Sequence, residues 1–322
     1  MTTRTAPPLV RIGDIEIWAV LDGHMTVAQP PGFPDEHDPE FAVHAEYLND
    51  GRWHMDIGGF LVRTGDRVVL IDAGSGPGDG ELFVPTADES DPALLRWAAD
   101  NGHADAESAR GMLRSIVQTD FRTGSFGASL AALGFRPEDV TDVLLSHLHF
   151  DHIGWLSVDG RPYFPNAVVR CERHDAEYFL APDFDDGFYR VLWNAMPTSE
   201  RMTPVLAQFE PWDEDAAIAP GLDCVFAPGH TPGSAIFAIT SGSERALILG
   251  DSVHCPQELM DPEFHGGGVD VAQADATRER IRRDAEDGLT LLSAPHFPRL
   301  QFGRLRVGDR PRRWSFEWVP AG

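Results

Sequence analysis

The sequence predicts an α+β protein built from layers of strands and helices around one core. Two observations support this fold class. Short apolar runs of strand length recur along the 322-residue chain, and segments with helical character separate several of them. We expect a single domain spanning residues 1–322, because the residues with candidate chemistry extend from position 147 to position 296.

The first predicted elements are strands. Residues 10–20 form a mostly apolar run, and the runs at 59–63 and 68–72 flank a Thr-Gly-Asp-Arg turn that predicts a hairpin. Between the first strand and this hairpin, residues 22–56 are rich in proline, aspartate and histidine, which predicts a long, lid-like loop. The next predicted elements are helices at 109–118 and 129–133, strands at 140–146 and 168–171, and a helix at 173–180.

The second half of the chain continues this alternation. Residues 179–215 are predicted to be an insertion near the active site, with aromatic residues between acids and prolines. The later predicted elements are strands at 222–226, 235–239, 246–249, 289–292 and 305–307, and a helix at 272–287 with Gly288 as its stop signal. The four arginines of that helix, at positions 278, 280, 282 and 283, are predicted to lie on a solvated face.

The chain is strongly acidic, with 51 acidic and 26 basic residues and a formal net charge of −25. Such a surface repels phosphate backbones and anionic lipid head groups, so nucleic acid and membranes are excluded as main partners. All basic residues are arginine, which excludes lysine Schiff-base chemistry. The chain has no membrane-length apolar run, no signal-peptide pattern and no paired cysteine spacing, and we therefore expect a cytoplasmic protein.

The segment with the clearest chemistry is Ser-His-Leu-His-Phe-Asp-His-Ile-Gly at 146–154, directly after an apolar strand. On an extended backbone His147 and His149 point the same way and can hold one ion together. Asp151 and His152 follow as the chain turns and can face a second ion. Imidazole nitrogens and carboxylate oxygens are ligands that Zn²⁺ prefers, so this segment predicts metal binding over a chance cluster of surface histidines.

Three further residues extend this candidate site. His230 lies in a Pro-Gly-His-Thr-Pro-Gly turn, Asp251 follows a strand as Gly-Asp-Ser, and His296 lies between prolines in Ala-Pro-His-Phe-Pro. Taken alone, each has a structural alternative as a cap or turn residue. Together with residues 147–152 they supply five histidines and two aspartates, which is enough for two adjacent metal ions.

This order and spacing of histidines and aspartates, over about residues 57–300, resembles the metallo-β-lactamase superfamily. The Val-Leu-Ile-Asp-Ala-Gly run at 69–74 is also similar to that family's early strand motif, which implies that Asp72 supports the ligands from behind. The resemblance implies an αββα sandwich, in which two mixed sheets lie face to face with helices outside and the metals at one edge.

The same resemblance implies a ligand set for two divalent ions, with Zn²⁺ as the expected metal. The first ion would be held by His147, His149 and His230, the second by Asp151, His152 and His296, and Asp251 would bridge both. A metal-bridging hydroxide would then attack a carbonyl or phosphoryl centre. Asp151 would pass the proton on to the leaving oxygen.

Within the superfamily, the sequence is most similar to the lactonase-like branch, which includes acyl-homoserine lactonases and methyl parathion hydrolase. We expect a hydrolase that opens a lactone or cleaves a related carboxylic ester. The alternative is an aryl ester or organophosphate triester hydrolase, since His254 stands where many lactonases have a tyrosine. His254 could contact the leaving group or could only support the ligands. Less favoured are a glutathione-thioester hydrolase, a mononuclear iron dioxygenase and a non-catalytic metal-bound module.

The expected substrate is a small apolar or aromatic molecule, because ligand pockets are mostly apolar. The candidate wall residues are Phe121, in a Gly-rich loop, and Phe184, Phe188, Tyr189 and Trp193 in the insertion. The alternative for these aromatic residues is that they cover a satellite core. A homodimer is also expected from the resemblance, with the 22–56 loop as a segment that could pack across its interface.

Overall fold

The computed structural model describes residues 6–27, 48–49, 52–78, 82–83, 120–184, 195–262, 264, 269–308 and 314–320. Within these ranges two large β-sheets pack face to face, and helices cover their outer faces. The predicted αββα sandwich with two mixed sheets is therefore confirmed. No helix of the described residues is long and apolar enough to cross a membrane.

The elements of the first half are, in chain order, β1 (Val10–Ile12), β2 (Ile15–Val27), β3 (Leu48–Asn49), β4 (Arg52–Thr64), β5 (Arg67–Ile71), β6 (Leu82–Phe83), β7 (Asp120–Arg122), α1 (Phe126–Ala132), β8 (Asp142–Leu144), α2 (Phe150–Ile153), β9 (Ser157–Val158), β10 (Arg161–Pro162), β11 (Val168–Arg170) and α3 (Arg173–Phe179). The first sheet has the order β11-β8-β5-β4-β2-β7-β6, with β1 on β2 and β3 on β4. Strands β5, β8 and β11 run parallel, so their carboxyl ends meet at one edge.

The elements of the second half are α4 (Thr198–Met202), β12 (Ala216–Ala219), β13 (Leu222–Phe226), β14 (Ala235–Ser241), β15 (Glu244–Ile248), α5 (Gln257–Met260), α6 (Val271–Asp284), β16 (Leu291–Ser293), β17 (Gly303–Val307) and β18 (Trp314–Trp318). Strands β12 to β18 form the second sheet in sequential order, with β15 and β16 parallel. Strands β9 and β10 form a separate hairpin.

Burial on both faces of the first sheet explains why its central strands are almost continuously apolar. Along β4, Phe60 and Val62 pack into the interior between the sheets, whereas Leu61 packs toward the helices on the outer face. Strand β5 follows the same alternation with Val69 inside and Leu70 outside. Helices α5 and α6 cover the outer face of the second sheet in the same way.

Most predicted elements are present with boundaries shifted by a few residues, and the strand at 222–226 matches β13. The run at 10–20 is divided into β1 and β2, because Gly13 has a positive φ of 55° and turns the chain. Strands β7, β9, β10, β12 and β18 were not predicted. The predicted helix at 109–118 lies outside the described residues.

The predicted loop at 22–56 is wrong at both ends. Residues 22–27 continue β2 and residues 52–56 begin β4, and the two strands pair in antiparallel register. Polar and apolar side chains alternate on this extension: Met25 pairs with Met55, while His24 pairs with Asp56 on the opposite face. The polar side chains of this extension, Asp22, His24, His54 and Asp56, contributed to the loop-like composition. Residues 28–47 and 50–51 of the predicted loop lie outside the described residues.

A buried aspartate inside β2, at the irregularity between Leu21 and Gly23, connects several elements of the first sheet. Asp22 is fully buried and accepts six hydrogen bonds. The donors are Ser75 N, Gly76 N, Thr123 Oγ1, Gly124 N, Phe126 N and Trp155 Nε1. The carboxylate therefore joins the loop after β5, the start of α1 and the segment after α2.

We expect Asp22→Asn to lower the free energy of unfolding by at least about 3 kcal/mol, because an amide NH₂ would face backbone donors that now have an acceptor. Denaturant unfolding followed by circular dichroism measures this change. Asp66→Asn, in the exposed turn between β4 and β5, is the matched control and should stay within about 0.5 kcal/mol of the parent. Equal stability of the two variants would contradict the role of Asp22.

Candidate metal centre

Four loops at one edge of the sandwich carry the predicted ligands. The loop at 147–152 follows β8, the turn at 228–233 joins β13 to β14, the segment at 250–254 follows β15 and the turn at 294–298 follows β16. Parallel pairing of β15 with β16 places the last two loops at the same end of the second sheet. The backbone bond from Ala235 N to Ser146 O (2.8 Å) joins the two sheets at this edge.

Three imidazole nitrogens form the first cluster of donors. His147 Nε2 lies 2.8 Å from His149 Nδ1, and His230 Nε2 lies 3.0 Å from the same atom. His147 is fully buried and the side chain of His230 is 10% exposed. The separation of two ligand atoms on a tetrahedral Zn²⁺ ion is about 3.4 Å, so these three nitrogens are close to the spacing that one ion requires.

Asp151, His152 and His296 form the second cluster. Asp151 Oδ2 lies 3.8 Å from His152 Nε2 and 3.5 Å from His296 Nε2. All three residues are buried. This group offers two imidazole nitrogens and one carboxylate oxygen at mutual distances compatible with one cation.

Asp251 lies between the two clusters. Its Oδ2 is 3.8 Å from His147 Nε2, 3.5 Å from His230 Nε2 and 3.3 Å from His296 Nε2. Its Oδ1 is 3.3 Å from His152 Nε2. One carboxylate thus faces both donor clusters, as a ligand shared by two ions would.

Burial shifts the pKa values of the three histidines in the first cluster in the direction that favours cation binding. Burial, followed by the neighbouring imidazoles, lowers the pKa of His147 and His149 well below the usual 6.5. Burial also lowers the pKa of His230 to about 3. Burial alone would raise the pKa of Asp251, but the surrounding histidines lower it well below its usual 3.8. At neutral pH the first cluster therefore presents neutral imidazole lone pairs beside an ionised carboxylate.

Unsatisfied polar atoms give an independent test of whether cations fit. His152 Nε2 and Asp251 Oδ1 are buried and have no hydrogen-bond partner of acceptable geometry, although they face each other. Buried polar atoms are normally paired with another polar group, and a cation bound between these two atoms would satisfy both of them. The residues present fit two divalent cations.

Asp72 supports the ligands from the end of β5. Its backbone has a positive φ of 60°, and its carboxylate accepts hydrogen bonds from Ser146 N (2.7 Å) and Ser146 Oγ (2.9 Å). The same carboxylate lies 3.1 Å from His152 Nδ1, which leaves His152 Nε2 directed at Asp251 and Asp151. Contacts of this kind fix the ring orientation and the tautomer of a metal-binding histidine.

His254 lies at the side of the cluster and is held by Glu258. Its Nε2 is 3.4 Å from Asp251 Oδ2, while its Nδ1 is 3.2 Å from Glu258 Oε1. Glu258 is buried and also accepts a hydrogen bond from the backbone N of His254. Burial alone would lower the pKa of His254, but Glu258 and Asp251 raise it to about 10. The ring of His254 lies parallel to that of His296.

The sequence analysis missed several residues that hold the ligands. Asp56 contributes its backbone oxygen to His296 Nδ1 at 2.9 Å, but it lay in the predicted loop. Glu258 carried a usable signal, because it follows His254 by four residues at the start of a helix.

The prediction that the arginines of α6 form a solvated face is wrong for two of them. Arg278 and Arg282 are buried. Arg282 donates to the carbonyls of Glu258 and Leu259, and Arg278 approaches the carbonyl of Ser252 at 3.5 Å. The two guanidinium groups hydrogen-bond to backbone carbonyls in the segment that follows Asp251 and do not point into solvent.

Of the five aromatic residues predicted to form a pocket wall, the structure describes Phe121 and Phe184. Phe121 is fully buried and lies 5.9 Å from the ring of Phe150, so it is a core residue rather than part of a pocket wall. Phe184 packs against Phe179, whose ring lies 5.4 Å from that of His149. An open cavity of about 450 Å³ is lined by Glu177, Tyr178, Ala181, Asp183 and Phe184. Phe188, Tyr189 and Trp193 lie outside the described residues.

The described parts of the predicted insertion at 179–215 contribute to the core. Phe179 ends α3, and Met202 and Val205 are buried in the cluster on the outer face of the first sheet. Trp212 is buried between the two sheets, 6.3 Å from the ring of Phe237. These residues belong to the two large core clusters, so Trp212 is part of the main core and not of a pocket wall or a satellite core.

The fold and the donor clusters define a metallo-hydrolase. A family model for the metallo-beta-lactamase superfamily matches residues 59–293, and the chain belongs to this superfamily. It is 27% identical to the probable metallo-hydrolase Rv2300c of Mycobacterium tuberculosis over 249 residues, which cover 72% of this chain and 69% of that protein.

Two further comparisons are with proteins that are named as lactonases. The chain is 28% identical to an N-acyl homoserine lactonase of Bacillus cereus over 153 residues, which cover 48% of this chain and 54% of the lactonase. Its fold is similar to that of AidC, a dizinc quorum-quenching lactonase, with a TM-score of 0.71 at 22% identity, covering 97% of this chain and 96% of AidC. At this identity the structural likeness concerns the fold.

We expect Asp72→Asn to weaken zinc binding about 10- to 100-fold, because the amide cannot accept from Ser146 and also orient His152. Asparagine tolerates the left-handed backbone at this position, so the fold should survive. Zinc affinity is measured by competition with a chromophoric chelator. Asp159→Asn is the matched control, since Asp159 also has a positive φ (50°) but is exposed. Unchanged zinc affinity in Asp72→Asn would contradict the supporting role of Asp72.

Proposed function

We propose that this protein is a dinuclear metal-dependent hydrolase that opens a lactone or cleaves a related carboxylic ester. The observation that carries the proposal is the position of Asp251, whose carboxylate lies within 3.8 Å of imidazole nitrogens from both donor clusters. His147, His149 and His230 would hold the first ion, and Asp151, His152 and His296 the second. Asp251 would be shared by both ions.

The chain's own residues would organise the reaction around this centre. When bound, two such cations lower the pKa of a coordinated water and stabilise negative charge on the reacting oxygen. Asp72 and Asp56 keep the rings of His152 and His296 in place through their Nδ1 atoms. Asp151 is buried at the same edge, and we assign it the proton transfer to the leaving oxygen.

Several observations favour a small carboxylic ester as the substrate. The net charge of −25 disfavours polyanionic substrates such as nucleic acid. The shared position is an aspartate, and among the described residues Cys255 belongs to none of the groups whose ligand atoms could hold one metal ion. The B. cereus relative is named as a lactonase. In a lactone, water adds across the ring C–O bond, and both the carboxylate and the alcohol stay in one product.

A second candidate, an aryl ester or organophosphate triester hydrolase, is favoured by His254. Its Nε2 faces the cluster from the side, 3.4 Å from Asp251 Oδ2, and Glu258 fixes the opposite nitrogen. A histidine held in this way can donate a hydrogen bond to a leaving-group oxygen or to a phosphoryl oxygen. Hydrolysis of an aryl phosphotriester in preference to lactones would support this candidate.

We expect Asp251→Ala to leave a folded protein that retains at most one equivalent of metal and loses at least about 1,000-fold in kcat/KM, because both donor clusters lose their shared ligand. Elemental analysis and hydrolysis of an acyl-homoserine lactone, an aromatic lactone, an aryl ester, an aryl phosphotriester and a glutathione thioester measure the two effects. Near-normal turnover with one equivalent of metal would contradict the shared role of Asp251. Chelation should abolish turnover by the unmodified enzyme.

We expect His254→Gln to keep two equivalents of metal and to lower kcat/KM by about 10- to 100-fold, because a polar contact to the substrate is lost while the ligands remain. Measured on the same five substrates, the largest loss in kcat/KM identifies the substrate class that His254 contacts. His174→Gln is the control. His174 is largely exposed, and its Nδ1 contacts the carboxylate of Glu172 just as the Nδ1 of His254 contacts that of Glu258. Loss of one metal ion from His254→Gln would show that His254 is a ligand and not a substrate contact.

A further inference from the structure

Asp175 is a buried carboxylate that the ligand set does not include. It lies in the first turn of α3 and is fully buried. Helix α3 follows β11, at the same edge of the first sheet as the loop that carries His147 and His149. The side chain of Asp175 bonds to two loops outside its own helix.

The hydrogen bonds of Asp175 join the two loops of the first donor cluster. Its Oδ2 accepts from Leu148 N at 3.0 Å, and Leu148 is the residue between His147 and His149. Its Oδ1 accepts from Thr231 Oγ1 at 2.7 Å and from Gly233 N at 2.6 Å, in the turn that contains His230. One carboxylate thus bonds to both segments that present the three imidazoles.

Removing the Asp175 carboxylate from water is costly, and its hydrogen bonds to the two loops offset that cost. Burial raises the pKa of Asp175 to about 6, although the bonds from Thr231, Gly233 and Leu148 lower it. An apolar side chain would avoid this desolvation cost but would leave the same donors unpaired.

The turn at 228–233 is also held from its other side. Gly229 has a φ of 135°, and a Cβ at this position would lie 2.2 Å from Ala274 N in α6, so only glycine fits. Asp270 N and Val269 N donate to the carbonyls of Gly229 and His230. The His230 turn is therefore fixed between α6 on one side and Asp175 of α3 on the other.

We propose that Asp175 is a positioning residue that holds His147, His149 and His230 at the mutual distances required by the first cation. This inference rests on the proposed metal centre. Ligand atoms 2.8–3.0 Å apart leave little tolerance, and a shift of about 0.5 Å in either loop is enough to spoil a site of this kind. The bond from Leu148 fixes the position of the loop that carries His147 and His149. The bonds from Thr231 and Gly233 fix the position of the His230 turn relative to the same carboxylate.

The test is cobalt binding to Asp175→Asn, which has nearly the same shape as the parent but places an NH₂ group against backbone or hydroxyl donors. Metal-free protein is titrated with Co²⁺, and the visible d–d spectrum and two binding steps are recorded. We expect one of the two Co²⁺ ions to bind about 10- to 100-fold more weakly, with an altered d–d band. Thr231→Val removes only one of the bonds and should show a smaller change in the same step.

Asp142→Asn is the matched control, since Asp142 is a buried carboxylate in β8 that bonds to Arg67 and Arg170 instead of the ligand loops. It should lower stability without changing the cobalt spectrum. An unchanged spectrum and unchanged affinities in both Asp175→Asn and Thr231→Val would overturn the positioning role. If the unmodified protein binds two Co²⁺ ions but hydrolyses no lactone or ester, the proposed function fails while the role of Asp175 stands.

Discussion

The structure depends on the burial of five histidines and two aspartates in one cluster around Asp251. Neutral imidazoles whose nitrogens face one another at 2.8–3.0 Å and carboxylates removed from water are costly without a counter-charge. Two divalent cations would supply that counter-charge and would bind the donor atoms of both clusters. The remainder of the edge is built to keep the donors in place.

Carboxylates from separate elements hold the donor groups from behind. Asp72 at the end of β5 orients His152, Asp175 in α3 joins the two loops of the first cluster, and Glu258 in α5 fixes His254. Each carboxylate acts on a different loop or ring. The cluster is therefore supported by the first sheet, by helix α3 on that sheet and by helix α5 on the second sheet. Loss of one supporting contact of this kind typically weakens metal affinity or activity by about 10- to 100-fold.

Residues 147–152 could be predicted as donors because their spacing is local, whereas His230, Asp251 and His296 joined the predicted ligand set through the family resemblance. Residues 147–152 follow a strand directly, and His230, Asp251 and His296 each occupy a short loop after an apolar run. The supporting residues could not be predicted in this way. Asp22 and Asp175 act through backbone N–H groups far along the chain, and Asp56 lay in a segment whose alternating polar face looked like a loop. Arg278 and Arg282 looked solvated because only tertiary packing supplies the carbonyls that bury them.

The most direct test of the central claim is anomalous diffraction at the zinc edge from crystals of the zinc-loaded protein. We predict two anomalous peaks about 3.5–4 Å apart. The first should lie among His147, His149 and His230, and the second among Asp151, His152 and His296, with one carboxylate oxygen of Asp251 between them. A single peak, or a second peak bound without contact to Asp251, would contradict the two-cation centre and the hydrolytic function derived from it.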